Sequence, residues 1–150
     1  MKICVAQTQP SKGDIENNIL GHKKLIDCAI NDGADVIIFP ELSLTGYEPT
    51  LARALAISMD DKRLEVLQTI SDNHKVVIGV GVPTQSREGT CISMILFQPT
   101  LDRLMYSKKY LHPDEEDYFV HGHNFPVLRT DAGNLALAIC YEISVTQHAE

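Results

Sequence analysis

Hydrophobic and polar positions along this chain alternate between two periods, and each change of period marks an element. Residues 2–8, KICVAQT, form a short β-branched and apolar run that reads as a buried strand, closed by the breaker group Pro10-Ser11-Lys12-Gly13. Apolar residues then recur at Ile15, Ile19, Ile26 and Ile30, with Leu25 and Ala29 beside them, which is the spacing of one helix face. Asp14 stands where a cap is needed, and Asn31-Asp32-Gly33 ends the pattern. Residues 35–39, DVIIF, return to strand character. They are too apolar after the first residue for a sheet with one wet face, so both faces are expected to be covered.

The segment 40–50, PELSLTGYEPT, carries two prolines and a glycine directly after that strand. It reads as a loop at the strand's carboxyl end, where open α/β sheets bind ligands. A second amphipathic helix is predicted over 60–74, with Leu64, Leu67 and Ile70 on one face and Asp60 or Asp61 near its start. Residues 75–82, KVVIGVGV, predict a third strand whose two glycines point to close packing or a bulge. After the turn-rich stretch 83–89 come strands over 90–97 and 103–106, separated by Gln98-Pro99-Thr100 and expected to form an antiparallel meander. A long loop, 108–124, holds Pro113, Gly122 and the acidic run Asp114-Glu115-Glu116-Asp117. Residues 125–129 and 135–139 read as strands joined by a turn at 131–134, the second ending at Cys140. The last residues, SVTQHAE, read as the start of a helix.

Strands alternating with helices make this an α/β chain. Its 150 residues have the size of one domain, with no internal repeat or linker, so 1–150 is read as a single unit. A helix that has only begun and a sheet face with little to cover it lead to the expectation that the natural protein is longer. Composition narrows the partners. Thirteen Lys and Arg against twenty Asp and Glu leave a net charge of −7, with no basic cluster, which argues against nucleic acid and anionic membrane surfaces. No apolar run approaches the roughly 20 residues a spanning helix needs. The start, Met1-Lys2-Ile3-Cys4-Val5 followed by Gln7 and Gln9, lacks the apolar core of a secretory signal, so the expected location is cytoplasmic. The four cysteines, at 4, 28, 91 and 140, form no C-x-x-C pair and are expected to be reduced thiols. Those at 4, 28 and 91 lie in apolar stretches and read as small core residues.

Three reactive side chains fall where strands are predicted to end: Glu41 after VIIFP, Lys108 after LMYS and Cys140 after LALAI. A thiol is a weak nucleophile near neutral pH until a base removes its proton, and a carboxylate made more basic by burial can serve. Glu41 is the candidate base. Lys108 is the candidate cation, holding that carboxylate and stabilising the oxyanion formed when a thiolate adds to a carbonyl. The loss of one such donor typically costs about 3 kcal/mol of transition-state stabilisation. A sharp turn after Cys140 would aim the backbone N–H of Tyr141 into the same pocket as a second donor.

These residues sit within Phe39-Pro40-Glu41-Leu42 with Thr45-Gly46-Tyr47, Tyr106-Ser107-Lys108-Lys109-Tyr110-Leu111, and Ala138-Ile139-Cys140-Tyr141-Glu142. In order and approximate spacing they resemble the three signatures of the nitrilase superfamily of carbon-nitrogen hydrolases. The opening VAQTQP, followed by Gly13-Asp14 and Asn17 or Asn18, is similar to the family's first strand and helix. The resemblance implies an αββα sandwich, of which this chain would hold the N-terminal half to two-thirds. It implies Glu41 as general base, Lys108 rather than Lys109 as the assisting lysine, and Cys140 as nucleophile. Glu115, four residues before Phe119 and seven before Gly122, matches a second glutamate of the family that positions the lysine and substrate. Tyr47 is the expected substrate contact from the first signature.

The implied reaction cleaves the C–N bond of a small amide, of ω-amide or N-carbamoyl type, through a thioester acyl-enzyme, with no metal or organic cofactor. Tyr141 follows the nucleophile where true nitrilases commonly have Trp, which favours amide over nitrile chemistry. Self-association into a homo-oligomer, a dimer or larger, is a further expectation from the resemblance. Four alternatives compete: a nitrilase, a Cys-His hydrolase pairing Cys140 with His112, His121 or His123, a metal pair at His121-x-His123, and a noncatalytic fragment or pseudoenzyme acting as a binding module.

Overall fold

The computed structural model describes residues 1–130 and 133–149. Its centre is a five-stranded mixed sheet in the order β1 (Ile3–Val5), β2 (Val36–Ile38), β3 (Val77–Gln85), β4 (Thr90–Phe97), β5 (Leu104–Ser107). β1, β2 and β3 are parallel to one another, while β4 runs against β3 and β5. β2 and β5 therefore point their carboxyl ends toward the same edge of the sheet.

Alternation along the strands separates two cores. Ile37, Ile78, Val80, Val82, Ile95 and Phe97 face the helix layer, where they meet Ile15, Ile19, Ile26 and Ala29 of α1 (Ile15–Asn31) and Leu67 of α3 (Glu65–His74). Val36, Val77, Ile92, Met94 and Leu96 face the other way, onto Leu42, Tyr106, Leu111, Phe119, Leu128 and Ile139. Full burial of each such side chain contributes roughly 1.5–3 kcal/mol. The sheet is thus covered on both faces, as its apolar strands require.

Asp14 caps α1 through a 3.1 Å bond from Asn17 N–H to its carboxylate. Asp61, not Asp60, opens the second helical segment, accepting Arg63 N–H at 2.9 Å ahead of a 3-10 turn, Lys62–Leu64, that leads into α3. A short helix, α2 (Ala52–Leu55), lies between the Glu41 loop and that turn.

Several expectations are corrected. β1 covers only Ile3–Val5 of the segment 2–8. β3 continues through Pro83 into the stretch expected to turn, because the Pro83 carbonyl accepts Ile57 N–H at 3.0 Å. The N–H that proline lacks would point to that same side, beyond the end of β2, where no ladder needs it. The hairpin near the end pairs β6 (Leu128–Thr130) with β7 (Gly133–Leu135), so most of the predicted strand 135–139 lies outside any ladder. Of the turn predicted there, Asp131 and Ala132 lie outside the described residues. In place of a helix at the end come two 3-10 turns, Cys140–Ser144 and Thr146–His148. Cys28 is exposed on the outer side of α1 and Cys4 is half-buried, so only Cys91 of the three expected core thiols is buried; all four are free.

Candidate active site

Glu41 arrives from β2 through Phe39-Pro40 into a tight turn, with Leu42 in the left-handed region at φ 52°. This turn lies directly on β3 at Gly81, where a Cβ would come within 2.2 Å of the Pro40 carbonyl and 2.5 Å of Leu42 N. Only a glycine permits that approach. The turn is also tied to α1: Asn18 Nδ2 donates to the Leu44 carbonyl at 2.9 Å, and the His22 ring stacks on Phe39 at 4.0 Å. His22 Nδ1 lies 2.7 Å from the Asn18 carbonyl, which can only accept, so this nitrogen carries the proton. Nε2 then accepts from Ser43 Oγ at 2.9 Å, while Ser43 Oγ accepts Gly81 N–H at 3.2 Å. Burial lowers the His22 pKa, which favours this neutral form.

Lys108 follows the last residue of β5, with its own N–H bonded to the Ile92 carbonyl at 2.8 Å and its carbonyl accepting Gly122 N–H at 2.7 Å. Its side chain is completely buried. Nζ donates to Glu41 Oε1 and to Glu115 Oε1, both at 2.7 Å. Glu115 is held in turn by His112 N–H on Oε2 at 2.8 Å, and Tyr47 O–H reaches Oε1 at 3.3 Å. Burial and the neighbouring Glu115 and Glu41 carboxylates push the Tyr47 pKa up to about 12, so it remains a donor.

Cys140 sits at φ 48° on the elbow between extended Ile139 and the 3-10 turn. Its thiol lies near enough to Glu41 and Lys108 to feel both charges, and the N–H of the adjoining Tyr141 acts on it as well. The structure therefore brings together Glu41, Lys108, Glu115, Tyr47, Cys140 and the Tyr141 backbone. The electrostatics assign each a condition. Burial raises the Glu41 pKa, with Lys108 opposing. Burial works against the charge on Lys108, but its bonds to Glu115 and Glu41 outweigh this and the net shift is upward. Burial and the Glu41 charge lift the Cys140 pKa against Lys108 and the Tyr141 N–H. The resting pair is thus a thiol beside a carboxylate of increased basicity, an arrangement able to pass one proton from sulfur to oxygen when an electrophile arrives.

Residues 2–148 match the carbon-nitrogen hydrolase family. The chain belongs to that family. A glutamine-dependent NAD(+) synthetase of Acinetobacter baylyi is 29% identical over 95% of this chain and 27% of its own length. A probable nitrilase of Schizosaccharomyces pombe is 23% identical over 98% of this chain and 57% of its own. An amidase from Nesterenkonia sp. superposes with a TM-score of 0.84 at 25% identity, covering 99% of this chain and 58% of that one. The chain thus spans between about a quarter and three-fifths of the length of these relatives. A mutant of the amidase from Nesterenkonia sp. AN1, a protein of the nitrilase superfamily, has been solved with the acetamide moiety of fluoroacetamide added covalently at its active site cysteine.

In this carbon-nitrogen hydrolase chain each of the loop histidines has a neighbour other than the thiol. His121 Nδ1 bonds the Lys109 carbonyl at 2.7 Å, His123 lies 3.8 Å from Glu88, and His112 packs edge-on against the Tyr141 ring at 5.2 Å. Among the described residues, no three His, Cys, Asp or Glu side chains gather as a metal-binding group. No helix there is long and apolar enough to cross a membrane.

Sequence reasoning gave no role to Asn18, His22 and Ser43, which brace the Glu41 turn, or to Glu142. The signal for Glu142 was its place two residues after the cysteine within a signature. Its carboxylate is fully buried, yet it accepts from Tyr106 O–H at 2.6 Å and from three backbone N–H groups.

Proposed function

We propose that this protein hydrolyses a non-peptide C–N bond of a small amide through a thioester on Cys140. The observation that carries the reading is one buried ammonium shared by Glu41 and Glu115, with the Cys140 thiol inside the electrostatic reach of all three groups. Glu41 takes the thiol proton as the sulfur attacks the carbonyl carbon. Lys108 Nζ and the Tyr141 N–H hold the oxyanion. Glu41 then returns the proton to the departing nitrogen, the C–N bond breaks, and the acyl group stays on sulfur. Water enters, Glu41 removes its proton, and the carboxylic acid leaves with the thiol restored. Glu115, braced by His112 N–H, keeps Lys108 aimed, and Tyr47 lines the approach as a substrate contact.

The ω-amides of dicarboxylic acids and N-carbamoyl amines are the substrate classes we favour. The Nesterenkonia amidase and the glutamine-dependent synthetase support carboxamide chemistry, while the probable nitrilase among the relatives keeps nitriles as the second reading. The test is a panel of ω-amides, carbamoyl compounds and nitriles assayed for ammonia release, with Cys140→Ala as control. Turnover of an amide that vanishes with the substitution, together with an acyl mass on Cys140, is expected. A pure nitrile preference would replace the amide reading. No turnover and no acyl adduct on any of the panel would remove the hydrolase and leave the binding-module alternative.

A further inference from the structure

Glu142 touches both halves of the site without touching the reacting atoms. Its Oε1 accepts Lys109 N–H at 2.6 Å and Tyr110 N–H at 3.1 Å, the two residues that follow Lys108. Its Oε2 accepts Tyr106 O–H at 2.6 Å, from β5, and Ile139 N–H at 2.8 Å, from the residue before Cys140. Every partner is a donor, the bonding pattern of a carboxylate. One fully buried side chain therefore bolts the segment bearing the lysine to the segment bearing the thiol, which come from separate parts of the chain.

We infer that Glu142 is a positioning residue that holds the Cys140 elbow in register with Lys108; this rests on the reading of Cys140 as nucleophile. The backbone supplies the reason such a clamp is needed. Cys140 has φ 48°, a conformation unfavourable for a residue with a Cβ. It is framed by a reciprocal pair: Ile139 N–H bonds the Glu142 side chain, and Glu142 N–H bonds the Ile139 carbonyl at 3.1 Å. Among the described residues Ala136–Ile139 have no place in either ladder, so no strand neighbour there holds the elbow from the other side. Without the carboxylate, Cys140 is free to relax to negative φ, which swings the sulfur away from Glu41.

Glu142→Gln keeps the size of the side chain but presents an amide N–H₂ to one of the two donor pairs, whichever way the amide turns. The cysteines provide internal controls. Cys28 is exposed on α1 and serves as the reference thiol, and buried Cys91 reports loss of the fold. Native protein is treated with iodoacetamide and labelling is followed per peptide by mass spectrometry, alongside ammonia release. Labelling of Cys140 relative to Cys28 is expected to slow by about tenfold with Cys91 still protected, as the sulfur moves off from Glu41 and Lys108. In the turnover assay kcat is expected to fall by about a hundredfold, with KM within a factor of about two, as expected for misplaced reacting groups.

Unchanged Cys140 labelling together with unchanged kcat overturns the clamp and leaves the hydrolase standing. A wild type that releases no ammonia, but whose Cys140 labelling still depends on Glu142, removes the hydrolase and leaves the clamp. Should Glu142→Gln expose Cys91, Tyr106→Phe decides, since it deletes one donor alone. A several-fold slower Cys140 with Cys91 protected upholds the proposal, and wild-type labelling overturns it.

Discussion

In the proposed reaction Glu41 has two duties that pull its pKa in opposite directions. Lys108 must hold its carboxylate in place, which makes it a weaker base, and burial must make it a stronger one; burial wins. Because the base form is the deprotonated one, activity should be lost as pH falls through a value above the ordinary glutamate range. A kcat/KM profile checks this, and an acid limb at or below that range would contradict it. Glu41→Gln keeps a carbonyl to accept from Lys108 but cannot take a proton. Turnover should fall by roughly 10²–10⁴-fold, the usual contribution of a general base. Folding should be little affected, since Lys108 retains Glu115 at 2.7 Å. Ammonia release paired with thermal unfolding separates the two effects.

At the scale of elements, the pattern of apolar positions was sufficient for the sheet and its helix layer. α1 with its Asp14 cap, β2, β4 and the meander into β5 all stand close to where periodicity puts them. What periodicity misjudged depends on partners distant in sequence. Pro83 reads as a strand breaker until Ile57 occupies its other side, and Leu135–Ile139 reads as a strand although only Leu135 finds a ladder. Candidate chemistry was legible for a different reason: Glu41, Lys108 and Cys140 each follow an apolar run, so their positions at segment ends show in one dimension. Glu142 and Ser43 act through hydrogen bonds to other segments, and no local pattern encodes those. The two glycines of β3 were recognised as packing positions, and they are not equivalent. A Cβ at Gly79 would meet the flexible ends of Ile38, Leu96 and Met94 at 2.8–3.1 Å, whereas at Gly81 it would strike the backbone of the Glu41 turn. Gly79→Ala should therefore cost about 1–3 kcal/mol of stability as simple overpacking and leave most activity. Gly81→Ala should cost at least that much and abolish turnover by displacing Glu41. Urea unfolding and ammonia release on the pair would show whether activity tracks the turn or only stability.

Across the whole molecule, Lys108 is the point where separate layers meet. Its backbone extends β5, its ammonium holds the loop after β2 through Glu41, and it holds the 3-10 turn Pro113–Glu115 through Glu115. The chain is acidic, at −7, and this site repeats the imbalance with two carboxylates on one cation. Removing the cation therefore affects more than catalysis. With the folded-state pKa of Lys108 raised, its contribution to stability is fully present below the ordinary lysine range and is lost only as pH climbs through the higher folded value. Lys108→Met removes it at every pH and leaves Glu41 and Glu115 facing each other in a buried space. Breaking a buried pair in this way costs about 3–5 kcal/mol near neutral pH. The deficit should shrink as the medium is acidified, because a proton taken up between the two carboxylates relieves their repulsion in the folded state. Urea unfolding of both proteins at about pH 8 and about pH 5 measures this directly. A gap between wild type and variant that narrows toward the lower pH is the expected result, and a gap that is constant or widens would mean that Lys108 does not neutralise the pair.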